Sequence, residues 1–229
     1  MEDSPRPRLR DVAPHAAHLS GKPRLRGVSH VAAAFVALAA GVHLLLAAPT
    51  GIIVPVAVYV CGLVALFTVS GLYHKPMWSL RMRQQLKRLD HATIFVFIAA
   101  TYTPVCVLAL GAEGGKRLLM AVWIGAALGA LRAVAWPGAP RAVSAALYVA
   151  VGWLAIAGFS ALVAALGGTG MALLIAGGVL YTTGAVLYAL RWPDLVPGVF
   201  GHHEVFHVLV IAAATCHFVM VRGLVVGAA

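Results

Sequence analysis

The stretch Ile52-Ile-Val-Pro-Val-Ala-Val-Tyr-Val-Cys-Gly-Leu-Val-Ala-Leu-Phe-Thr-Val-Ser-Gly-Leu-Tyr-His74 contains no Asp, Glu, Lys, Arg or His before its last residue. Wound as an α-helix at 1.5 Å per residue, it is about 35 Å long, enough to cross roughly 30 Å of bilayer hydrocarbon. It lacks the polar/apolar alternation of a β-barrel strand. It therefore reads as a transmembrane helix, and the rest of the chain repeats the pattern.

Hydrophobic residues make up 62% of the 229 positions and charged residues only 10%, with a mean hydropathy of +0.93. Too little polar surface remains to clothe a soluble globule of this length. Lipid offers no water to unpaired backbone groups, so each crossing is expected to be helical. Seven spans can be placed, at 28–48, 52–74, 91–110, 118–136, 143–166, 171–190 and 203–221. Prolines and glycines such as Pro49, Gly51, Pro76, Gly111, Pro137, Gly167, Gly168 and Pro193 mark the joints. The expectation is an all-α, polytopic membrane protein, a seven-transmembrane helix bundle over 28–229. Residues 1–27, rich in Arg and Pro, form a disordered basic cytoplasmic tail. Neither a cleaved signal peptide nor a transit peptide fits this beginning.

Basic residues orient the bundle, because Lys and Arg near helix ends stay on the cytoplasmic side. With the N-terminus inside, 14 of the 17 Lys and Arg fall in cytoplasmic segments, leaving Lys116, Arg117 and Arg222 outside. The predicted topology is N-terminus cytoplasmic and C-terminus outside. The net charge of +10 is accounted for by this topology and by anionic lipid, so no nucleic-acid partner is expected. Cys61, Cys106 and Cys216 are odd in number and form no CxxC pair, which reads as buried thiols.

On this topology the rare ionisable groups gather at one depth. Ser70 and His74 sit one helical turn apart at the inner end of the second span. Asp90 opens the third span on the same side, and His203 and His207, at i and i+4, open the seventh. Three imidazoles from two helices match the ligands of a zinc site whose fourth position is left for water, an arrangement suited to hydrolysis. Asp90 is then a water-positioning base and Ser70 an auxiliary hydrogen-bonding group. Singly, each has a duller role: an interfacial His, a capping Asp90, a Ser70 bonded to its own backbone. Their conjunction favours the metal site, since ionisable groups inside a membrane are costly. His30, His43, His91 and His217 default to interfacial or packing roles, and His202 is a substitute ligand if the register slips by one.

The blocks Ser70-Gly-Leu-Tyr-His74, Arg88-Leu-Asp90-His91-Ala-Thr-Ile-Phe with Ala100-Thr-Tyr-Thr-Pro104, and His203-Glu-Val-Phe-His207 resemble the bacterial hemolysin III family, grouped with the progestin and adipoQ receptors. The resemblance covers all seven spans. It implies Zn2+ held by His74, His203 and His207, with Ser70 and Asp90 as functional partners. Because the wider superfamily includes alkaline ceramidases, it also implies a metal-dependent lipid amide hydrolase, or a membrane-homeostasis regulator derived from one. The partners expected are membrane lipid and a lipid amide substrate, in a bacterial inner membrane.

Three alternatives remain open at this stage. His203-Glu204-Val205-Phe206-His207 is also H-E-x-x-H, the zincin pattern, which would make the protein an intramembrane metalloprotease with Glu204 as base and Asp90 as third ligand. A non-enzymatic receptor would use zinc as a structural pin. A cytolytic, pore-forming protein is disfavoured, because no polar stripe runs the depth of any span.

Overall fold

The computed structural model describes residues 23–75, 77–110 and 112–228. These form helices α1 (Val28–Ala47), α2 (Ile53–His74), α3 (Leu80–Leu108), α4 (Ala112–Ala135), α5 (Arg141–Gly152), α6 (Phe159–Leu190) and α7 (His202–Gly227), with 3-10 turns at Thr50–Ile52 and Trp153–Gly158. Among the described residues there is no strand beyond one isolated bridge between Val196 and Phe200. The first 22 residues of the expected tail lie outside the described residues.

Among the described residues, six helical segments are long and apolar enough to cross a membrane, and one of them, Arg141–Leu190, joins α5, the 3-10 turn and α6 into 50 residues. Gly167 interrupts that segment with φ 62 and ψ −176, a backbone conformation open to glycine because it has no Cβ. Large apolar side chains point outward around the bundle, Leu46 at 82% exposure and Phe35 at 72% among them. Such a surface belongs in lipid rather than water. The protein is an integral membrane protein built of helices.

The third helix differs from its sequence expectation. It starts at Leu80, not at 91, with Ser79 capping it by accepting from the Met82 amide at 3.4 Å. Hydropathy falls across Arg81, Arg83, Lys87 and Arg88, yet Leu, Met, Gln, Arg and Lys are all good helix formers, so the helix runs through them. Asp90 consequently lies in the helix interior, where a capping role is ruled out.

Close helix contact is set by glycine. A side chain at Gly62 on α2 would collide with Ala100 of α3, so these two helices approach closely. Leu44, Val56, Tyr59 and Val221, from α1, α2 and α7, are fully buried, and Phe95 of α3 is fully buried against Gly129 of α4 and Tyr148 of α5. This packing brings the ends of α2, α3 and α7 to one place.

Candidate metal centre

The last turn of α2 buries Ser70 and His74, the third turn of α3 buries Asp90, and the first two turns of α7 carry half-buried His203 and buried His207. One donor nitrogen from each of His74, His203 and His207 lies within 4.8 Å of the others. The ring centroids form a nearly equilateral triangle, 4.5 Å from His74 to His203, 5.0 Å from His74 to His207 and 4.6 Å from His203 to His207. His74 Nε2 and His203 Nε2 are 3.1 Å apart. Two nitrogens each roughly 2.05 Å from one tetrahedral zinc would be about 3.3 Å apart, so this pair fits such an ion, and the His207 donor lies within 4.8 Å of both. His207 Nδ1 is buried without a hydrogen-bond partner. The set is neutral and nitrogenous, which suits a transition-metal ion such as zinc, copper, iron or nickel.

Asp90 Oδ2 lies 3.7 Å from His74 Nε2, the nitrogen that also faces His203. The carboxylate therefore borders the centre and offsets the charge a divalent cation would bring. Ser70 lines the same cavity, but its hydroxyl is engaged by His30 Nδ1 at 2.8 Å. The His30 ring in turn stacks on His207, with centroids 3.7 Å apart and planes 10° from parallel. Ser70 thus acts through His30 on a candidate ligand.

All five expected residues meet here, and two further ones join them. His30, expected to be interfacial or packing, is buried inside the cluster. Its only sequence signal was its place on the first span near the end where the other histidines gather. Arg26 is the second: its Nε is paired with Glu204 Oε1, while Glu204 Oε2 accepts the Gly201 amide at 2.8 Å. Glu204 therefore fastens the start of α7, and both its oxygens are engaged. With both oxygens engaged by Arg26 and Gly201, and not among the clustered donors, it is placed as an anchor of the helix start rather than as the base a zincin requires. His202 is not in the cluster, so the register selects His203. His217 is buried, with Nε2 bonded to the Leu174 carbonyl at 3.2 Å.

A cavity of about 130 Å³ reaches from His203 and His207, past Asp90 and Tyr188, to Trp153 and His217. His203 and His217 are separated by about 21 Å along α7. The cluster thus sits at one end of a long, mostly apolar chamber.

A family model described as Haemolysin-III related matches residues 20–218. The chain belongs to the haemolysin III family. Within it, the chain is similar to the Hemolysin-3 homolog of Bacillus subtilis (strain 168), with 30% identity over 166 residues, 72% of this chain and 75% of the relative. It is similar to the monocyte to macrophage differentiation factor of Homo sapiens at 25% identity over 169 residues, 70% of this chain and 66% of the relative. A shorter segment of 53 residues is 55% identical to the ADIPOR-like receptor IZH2 of Saccharomyces cerevisiae, 21% of this chain and 16% of that one.

Proposed function

We propose that this haemolysin III protein is a zinc-dependent hydrolase of lipid amides in a bacterial plasma membrane. The observation that carries this reading is the convergence of His74, His203, His207 and Asp90 at the end of an apolar cavity. The cavity is suited to an acyl chain, and its polar end would receive the amide. Zinc, held by the three imidazoles, would supply Lewis-acid activation of water and of the amide carbonyl. Asp90 orients the attacking water and takes its proton, as a carboxylate within reach of that position does. Ser70 and His30 hold the His207 ring in its plane, and the apolar walls exclude bulk water.

The same reading assigns seven spans, with a cytoplasmic N-terminus and an external C-terminus. Arg141–Leu190 is 50 residues long, about 75 Å of helix and more than twice the hydrocarbon thickness, so it crosses twice and turns at Gly167. The basic residues of the joints then fall mostly inside, and the candidate metal centre lies near the cytoplasmic leaflet.

A structural zinc in a non-enzymatic receptor is the second reading, favoured by ligands drawn from two helices far apart in sequence, which an ion would tie together. The deciding experiment incubates purified, zinc-loaded protein in nanodiscs with an N-acyl sphingoid lipid and measures released fatty acid. Turnover lost in Asp90→Asn with zinc retained supports the hydrolase. Bound zinc with no turnover in the wild type supports the structural pin.

A further inference from the structure

Arg132 lies in the last turn of α4 and Arg141 opens α5, at the bundle end that also carries His74 and His203. Neither behaves like an arginine reaching into solvent. Arg132 Nη1 donates to Ser144 Oγ at 3.1 Å, and its guanidinium lies 5.9 Å from the centre of the Phe95 ring. The Arg141 guanidinium lies 5.3 Å from the centre of the Tyr188 ring. Nε and Nη2 of Arg132 and Nη1 of Arg141 are sealed from solvent with no hydrogen-bond partner. A guanidinium keeps its proton in any protein setting, so these donors remain charged, with only neutral hydroxyls beside them, those of Ser144 and Tyr148 next to Arg132.

The described part of the chain offers them no carboxylate. It holds four acidic residues. Asp90 faces His74, and Glu204 is bound to Arg26 and Gly201. Asp194 lies against Gly201. Glu113 is in the first turn of α4, at the opposite end of that helix from Arg132. Leaving buried cationic donors unpaired costs more than satisfying them, so an anion from outside the chain is the fitting complement.

The surroundings say where that anion would sit. Arg141, Ser144 and Tyr148 fall at i, i+3 and i+7, on one face of α5. Ser144, Tyr148 and Tyr188 line the cavity that reaches the histidine cluster. The two arginines therefore contact residues of the cavity wall, Arg132 at Ser144 and Arg141 at Tyr188, at the bundle end where the helices leave the hydrocarbon. The abundant anion at that depth of a bilayer is a lipid phosphate, which accepts several N–H donors at once. We propose that Arg132 and Arg141 form a binding site for a phosphate group, supplied by the headgroup of a membrane phospholipid at the rim of the cavity. This site is independent of whether the metal centre hydrolyses anything.

The test uses the full-length protein extracted in detergent, mixed with phosphatidylglycerol or with uncharged diacylglycerol, washed, and analysed by native mass spectrometry and phosphorus content. The wild type is expected to keep about one phosphatidylglycerol per chain and no diacylglycerol, and Arg132→Gln/Arg141→Gln to bind it about tenfold or more weakly. Lys116→Gln/Arg117→Gln, which removes equal charge at the other end of α4, is expected to bind normally. A monodisperse elution profile and an unchanged thermal midpoint report that each variant is folded. If the double variant does not fold, Arg141→Gln alone is read in the same assay against Arg141→Lys, with a larger loss expected for Gln. Displacement of the lipid by millimolar inorganic phosphate would assign the site to free phosphate instead. Undiminished retention by the arginine variants, equal loss in the Lys116/Arg117 variant, or recovery of fatty acid without phosphorus would overturn the proposal.

Discussion

His30 and His207 lie face to face, their ring centroids 3.7 Å apart and their planes 10° from parallel. His30 is held in that pose by Ser70 Oγ at 2.8 Å, so a hydroxyl on α2 and an imidazole on α1 together fix the plane of a candidate ligand on α7. Residues that orient metal ligands commonly tune affinity by about 10–100-fold when lost. His30→Ala and Ser70→Ala are each expected to weaken zinc binding by about tenfold or more, measured by competition with a chromophoric chelator. His30→Phe, which keeps an aromatic face on His207 but loses the bond to Ser70, is expected to fall between wild type and His30→Ala.

Asp90 separates chemistry from metal holding. Its carboxylate borders the centre at 3.7 Å from His74 Nε2 and is not among the three clustered donors. Asp90→Asn is expected to retain zinc within a few-fold while lowering lipid amide turnover by about 10²–10⁴. Loss of zinc in parallel with activity would instead make Asp90 a ligand.

Glu204 is expected to behave as a fastener. Both its oxygens are engaged, by Arg26 and by the Gly201 amide. Glu204→Gln is expected to lower stability by on the order of 1–3 kcal/mol, read as a lower thermal midpoint, while leaving turnover per folded molecule near wild type. Arg26→Gln is expected to show the same phenotype, since it removes the other half of the contact. Abolished turnover at unchanged stability in Glu204→Gln would restore the zincin reading.

Gly62 controls how closely α2 approaches α3. A methyl there meets the Ala100 side chain, and the two helices carry His74 and Asp90. Gly62→Val is expected to destabilise the protein by about 1–3 kcal/mol and to weaken zinc binding as a consequence. Gly114→Val, at a position with open space around it, is the matched control and is expected to change zinc binding little.

The helical membrane architecture was legible because apolar runs of span length leave lipid-facing helices as the only way to satisfy the backbone. His74, His203 and His207 were legible for a different reason: an i, i+4 pair and a span-end histidine fall at one depth once the topology is drawn. The start of α3 was hidden, because hydropathy registers where charge begins while helix formation follows propensity through Arg81 to Arg88. His30 was hidden as well, since its stacking on His207 is a tertiary contact that no local spacing announces. The H-E-x-x-H string shows the opposite failure: Glu204 matches a local pattern, but its carboxylate is taken up by Arg26, 178 residues away in sequence, a tertiary contact that the string does not announce.

The most direct test is the metal content of purified protein, by elemental mass spectrometry, for wild type beside His203→Ala/His207→Ala, both after zinc supplementation and desalting. The account predicts about one zinc per wild-type chain and almost none in the double variant, since one histidine cannot hold the ion alone. Equal zinc in the two proteins, or none in either, would contradict it.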